Sequence, residues 1–242
     1  NTTVKGWAPL HISVLSKSIE CVELLLEAGA ELDMKKDDGV TPLFLASEKN
    51  YPEMIKVLAK AGANLELTAR NHATPLWMAV RRDNIEAAKA LIRAGASTIA
   101  SVSGWPCLHV ACEQDEVEIL KMMLDSDGDG SNPIDVAQIN SEGNTALHVA
   151  CENGSYDCVK ALCEYEFTNI DQTNRRRATP LCVACHFGFL EICELLIEKG
   201  ADVHVQIEGA WSPATIAADR GHGDIVDMLE KRGAIANTSD TE

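Results

Sequence analysis

The chain has 242 residues, of which 46% are hydrophobic and 24% charged, with a formal net charge of −16. That length builds one large domain or two small ones, and the composition is that of a soluble globular protein rather than a disordered one. The acidity repels a phosphate backbone and argues against nucleic-acid binding. No apolar run approaches the roughly 18 residues of a membrane span, and no signal-peptide pattern opens the chain.

From its first residues onward the chain repeats itself. APLH stands at 8–11, TPLF at 41–44, TPLW at 74–77, PCLH at 106–109, TALH at 145–148, TPLC at 179–182 and SPAT at 212–215. The third residues of these tetrads lie 33, 33, 32, 39, 34 and 33 positions apart. A constant period of this length is the mark of a repeat architecture. Seven units are expected, starting near 1, 36, 69, 101, 140, 174 and 207 and filling a single domain over 1–236. An insertion of about 127–133 accounts for the long fourth unit, and 237–242 is a polar tail.

Within each unit the same elements follow in order. Thr41, Thr74, Thr145 and Thr179 are predicted N-caps, and Pro42, Pro75 and Pro180 take the first helical position, where no N–H is needed. Three residues after the tetrad leucine comes a small side chain (Ser13, Ala46, Ala79, Ala111, Ala150, Ala184), which lets a neighbouring helix approach. A second apolar-periodic run follows, such as EMIKVLAKAG at 53–62, and glycines such as Gly62 and Gly200 end it. One such helix pair cannot bury its own apolar face, so the units must stack. In the first unit Ile12, Val14 and Leu15 lie close to the terminus where a polar capping face is expected, so the native protein is expected to continue N-terminally.

These motifs closely resemble the ankyrin-repeat family, over almost the whole chain. The resemblance implies an all-α solenoid of stacked helix-turn-helix units, each with a β-hairpin finger. It also implies a non-catalytic protein–protein interaction scaffold that binds a partner on its concave and finger face. His11, His109 and His148 recur at the last tetrad position, where the family's histidine ties neighbouring loops together. The departures are local: Pro106-Cys107 replace Thr-Pro, no glycine ends the second helix near Tyr165–Phe167, and Ala214 stands where leucine is expected.

In the family, partner contacts come from the finger tip, the residue before the tetrad threonine and the end of the first helix. Carried over, the pre-threonine position holds Trp7, Trp105 and Trp211, aromatic residues of the kind that dominate interfaces. Trp77 replaces the tetrad histidine and belongs to the packing. The same face offers Arg70, Arg81 and Arg82 in the third unit, and Arg175 and Arg176 in the sixth, with Glu113, Glu152, His186 and Phe187 between. Arginine grips carboxylates and phosphates well. With stacked helices about 10 Å apart, the two arginine groups would be about 30 Å apart, so an extended peptide with acidic or phosphorylated groups is the expected partner, bound by a monomer.

Other chemistry is weaker. Residues 125–136, DSDGDGSNPIDV, open like an EF-hand through Asp125, Asp127 and Asp129, which makes a calcium-responsive module an alternative reading. That loop has Val136 where the bidentate glutamate belongs, and no helical pattern follows it. Cys182 and Cys185 form a CxxC, but no second pair completes a zinc site. Cys112, Cys151 and Cys185 recur at one repeat position, as packing residues do. Nine cysteines without a secreted framework point to a reducing, intracellular compartment, the cytoplasm. No nucleophile–base pair, phosphate loop or cofactor motif is present, so catalysis is not expected. A third reading makes the chain the regulatory part of a larger enzyme or channel.

Overall fold

A computed structural model of the chain describes residues 6–99, 101–125, 134–207 and 211–234. Among these residues the fold is all-α: short first helices alternate with second helices of similar length. The chain divides into two compact units, Asn1–Ala111 with Lys121–Ile134, and Cys112–Leu120 with Asp135–Glu242. The first contains α1 (Pro9–Leu15), α2 (Ile19–Glu27), α3 (Pro42–Glu48), α4 (Pro52–Lys60), α5 (Pro75–Arg81) and α6 (Ile85–Arg93). Two further helices follow, α7 (Cys107–Glu113) and α8 (Val117–Asp125). The second unit then runs through α9 (Ala146–Asn153), α10 (Tyr156–Glu164), α11 (Pro180–Phe187), α12 (Leu190–Glu198), α13 (Pro213–Asp219) and α14 (Gly223–Glu230).

Each first helix begins where the Thr-Pro signal places it. The hydroxyls of Thr41, Thr74, Thr145 and Thr179 accept from the backbone N–H three residues on, and Ser212 does the same in the last repeat. Such a cap stabilises a helix by about 1 kcal/mol. First helices pack on first helices: α1 on α3 and α3 on α5 in one unit, α9 on α11 and α11 on α13 in the other. The small residues Ala46, Ala79, Ala150 and Ala184 are fully buried at these contacts, beside Leu43, Leu76, Leu147 and Leu181.

The fingers are tighter than the hairpins implied by the family. One forms a two-rung ladder, β1 (Ser101–Val102) with β2 (Trp105–Pro106), and another a single bridge between Ile207 and Trp211. In the fingers of the second, third, fifth and sixth repeats a side chain takes the N–H that a further rung would use. Asn174 Oδ1 accepts from the N–H groups of Arg176 (2.9 Å) and Ala178 (3.0 Å). Asn140 Oδ1 does so from Glu142 (2.9 Å) and Asn144 (3.0 Å), and Asp38 and Asn71 bond Val40 and Ala73 in the same way. Only one backbone rung remains in each, for example Asn174 N to Ala178 O at 3.0 Å.

Successive repeats are also stitched along their loops. Asp33 accepts from the Asn64 N–H (3.1 Å), Glu66 from Ser97 (2.7 Å) and Asp171 from Asp202 (3.1 Å). The aspartates of the weak calcium reading divide: Asp125 ends α8 as an exposed residue, while Asp127, Asp129 and the insertion at 127–133 lie outside the described residues, as does the 237–242 tail. Among the described residues no group of three or more His, Cys, Asp or Glu could hold a metal ion.

The nine thiols are all unbridged, and seven are buried. Cys185 and Cys193 lie with their sulfurs 3.7 Å apart between α11 and α12. Burial holds the Cys151 thiol well above its ordinary pKa, and a neighbouring thiol followed by burial does the same at Cys112 and Cys185. The half-buried Cys163 is pushed up to about 11, mainly by burial. Because the thiolate is the nucleophile, a maleimide added to the native chain is expected to label Cys21 rapidly and Cys163 slowly. The other seven should react only after denaturation, which mass spectrometry of tryptic peptides would check.

Candidate functional site: a groove in the C-terminal unit

The fourth tetrad position decides where the fingers stand. His148 is fully buried; its Nδ1 accepts from Thr145 N (3.2 Å), and its Nε2 donates to the carbonyl of Ala178 in the next finger (3.0 Å). His11 repeats the arrangement toward Val40 O at 3.0 Å. Where tryptophan replaces histidine, the indole Nε1–H of Trp77 reaches Trp105 O at 2.8 Å. At this position imidazole and indole both supply a ring N–H that reaches the next finger, whereas Phe44, Cys182 and Thr215 stand there without one.

With Ala178 held in this way, the fingers and first helices of the last three repeats enclose a groove of about 320 Å³. The fifth repeat contributes Glu142 and Asn144 from its finger and Glu152 from α9. The sixth contributes Asn174 and Arg176 from its finger, and Val183, His186 and Phe187 from α11. The seventh contributes Ile207 and Trp211 from its finger, and Ile216, Asp219 and Arg220 from the end of α13. A polar chain braces the finger side: Asn174 Nδ2 donates to Asn144 Oδ1 (2.8 Å), and Asn144 Nδ2 to Glu142 Oε2 (3.3 Å).

Carboxylates line the fifth-repeat side of the groove, and apolar side chains with Arg176, Asp219 and Arg220 line the sixth and seventh. Burial, then the neighbouring Glu142 charge, raises the pKa of Glu152. Burial lowers that of His186, and the guanidinium charges of Arg220 and Arg176 lower it further. Phe187 and Trp211 keep 45% and 41% of their surface exposed. The Phe187 ring meets His186 edge-on at 4.9 Å and stacks on Phe189 at 6.4 Å.

The family model for ankyrin repeats in sets of three copies matches residues 1–70, 66–135, 130–207 and 166–240. The chain belongs to the ankyrin-repeat family. It is similar to the Drosophila melanogaster ankyrin repeat and KH domain-containing protein mask, with 37% identity over 40% of this chain and 2% of that protein. It is also similar to the probable 26S proteasome regulatory subunit p28 of Saccharomyces cerevisiae, with 31% identity over 54% of this chain and 57% of that one. In each case the match spans less than two thirds of the relative's length. The human ASB11 ankyrin repeat domain shares the fold, with a TM-score of 0.73 over 92% of this chain and 97% of that one at 22% identity. Ankyrin repeats are in general protein–protein interaction modules. Among the described residues no helix is long and apolar enough to cross a membrane.

Of the residues that the ankyrin register places on the contact face, the groove brings together Glu152, Arg176, His186, Phe187 and Trp211. Arg175 is exposed beside it, its backbone against Gly143. Glu113 is half-buried and does not line the groove. In the N-terminal unit Trp7 is half-buried, with Lys36 Nζ 4.3 Å above its ring and His11 edge-on at 5.9 Å. Trp105 is half-buried and edge-on to His109 at 6.3 Å. Arg70, Arg81 and Arg82 are exposed, and Arg82 is paired with Glu48 at 3.2 Å. The register reading left out Glu142, Asn174, Ile207, Ile216, Asp219 and Arg220. Asp219 and Arg220 were within its reach, since they stand one repeat after His186 and Phe187.

Proposed function

We propose that this chain is a non-catalytic scaffold that binds a partner protein through the groove of its C-terminal unit. The observation that supports this reading is the convergence of three repeats on one groove with two half-exposed aromatic side chains in it. A concave surface with aromatic side chains and a few fixed polar groups suits a polypeptide segment. Arg176 and Arg220 offer places for an acidic or phosphorylated group of the partner. Arg70, Arg81 and Arg82 are proposed as a separate basic patch of the N-terminal unit, with Arg82 partly committed to Glu48.

The test is affinity capture from a lysate with the wild-type chain and with Phe187→Ala/Trp211→Ala. Both residues are exposed enough that their loss should leave the fold intact. Partners retained by the wild type should fall at least about tenfold on the double variant, as expected for aromatic anchors worth 1–2 kcal/mol or more. Equal retention of every captured protein by both would show that this groove is not the binding surface.

A further inference from the structure

The groove carries a charge order along the repeats, and from it we infer the chemistry of its occupant. We propose that it takes an extended peptide segment with a basic side chain at one end, a bulky apolar side chain in the middle and an acidic side chain at the other. The inference rests on the groove being the binding surface. It adds the kind of sequence that fits.

The charged groups that the fifth repeat supplies to the groove are both carboxylates, Glu142 from the finger and Glu152 from α9. Among the described residues Glu152 makes no ion pair; burial and the nearness of Glu142 oppose its ionisation, and the charge of Arg176 offsets this only in part. Two like charges beside one groove are relieved by a cation placed between them. In the next two repeats guanidinium groups enter the lining, with one carboxylate, Asp219, beside Arg220. Arg176 at the finger tip and Arg220 at the end of α13 both bear on the same imidazole, that of His186, so two guanidinium groups converge on one region. Arg176 makes no ion pair among the described residues, and Arg220 has only the 3.7 Å contact of its Nε with Asp219. Phe187, Val183, Ile216 and Trp211 form the apolar stretch of the groove.

Successive repeats are about 10 Å apart, which an extended chain covers in about three residues. The occupant is therefore Lys or Arg over the fifth repeat, then Leu, Met or an aromatic residue about three positions along, then Asp or Glu about three positions further. Either chain direction meets the same order. A segment with two acidic ends would set one of them against Glu142 and Glu152, and like charges so placed are costly.

The probe is a phage library of random dodecapeptides selected on the whole chain and counted against Phe187→Ala/Trp211→Ala. Enriched peptides should carry opposite charges on the two sides of an apolar residue. A synthetic peptide of the consensus should bind Glu142→Lys/Glu152→Lys and Arg176→Glu/Arg220→Glu at least about tenfold more weakly than the wild type. Selection on Glu142→Lys/Glu152→Lys should exchange the basic position for an acidic one. Thermal unfolding of each variant, with Arg220→Gln as a milder change, separates lost contacts from lost folding. Enrichment that needs the two aromatic residues but shows no charge order would overturn this inference and leave the groove as the binding surface. Enrichment indifferent to the aromatic residues would overturn the groove reading itself.

Discussion

Replacing His148 with alanine is expected to destabilise the C-terminal unit by about 2–4 kcal/mol, and to remove part of its acid sensitivity. The imidazole, itself fully buried, satisfies Thr145 N through a buried contact on one side and Ala178 O through a part-buried one on the other. A buried polar group left without its partner costs about 1–3 kcal/mol, and the cavity adds to this. Burial holds the folded pKa of His148 at about 4, below the ordinary 6.5. Between those values the unfolded chain binds the proton and the folded chain does not. Stability from this residue is thus fully present above pH 6.5 and is lost as the pH falls toward 4, by about 3 kcal/mol at 1.36 kcal/mol per pH unit. Hydrogen exchange of the α9 and α11 amides at pH 7 and pH 5 would measure both effects. The wild type should lose protection on acidification by more than the variant does. An identical acid response in the two proteins would mean that His148 is not held neutral by the fold.

The second large effect is expected at Gly143. Its φ is +79°, and a Cβ there would meet the Arg175 backbone nitrogen at 2.8 Å. Left-handed backbone alone costs a side chain about 1–2 kcal/mol, and the clash is with the main chain of the adjacent finger, which no rotamer change relieves. Gly143→Ala should therefore cost about 2–4 kcal/mol and also displace Arg176, with loss of binding in the groove. Gly62 is the control: its φ is +95°, but a Cβ there meets nothing within 4 Å. Gly62→Ala should cost only the backbone term. Urea denaturation of both variants compares them, and equal losses would rule out close finger packing as the cause.

Much of this architecture is legible in the residues themselves. Thr179-Pro180 announces a helix start because the hydroxyl can cap and proline lacks the N–H that would go unused, and α11 begins there. The small residues after each leucine mark the faces on which α9, α11 and α13 meet. The register also reaches the groove, since Glu152, His186 and Phe187 follow from the end of the first helix. It does not tell apart Trp7, Trp105 and Trp211, which share one repeat position. Their surroundings come from other residues: Lys36 lies over Trp7, whereas Trp211 is 41% exposed at the groove. The fingers show a similar gap. That Asn140 and Asn174 would fold back onto their own loops, shortening each hairpin to one rung, depends on side-chain rotamers rather than on period.

The ties between repeats run both ways: Asn84 Nδ2 reaches back to Ser47 O and Asn174 Nδ2 to Asn144 Oδ1, whereas another set reaches forward. His11 holds Val40, Trp77 holds Trp105 and His148 holds Ala178, and Asp33, Glu66 and Asp171 each accept from the repeat that follows. Val40, Trp105 and Ala178 are thus each positioned by a ring of the repeat before them. Opening a repeat therefore breaks its ties to both neighbours, and the loss of finger placement falls on the repeat that follows. In the groove that dependence is direct for the sixth finger, so the place of Arg176 is set by an imidazole of the repeat before it.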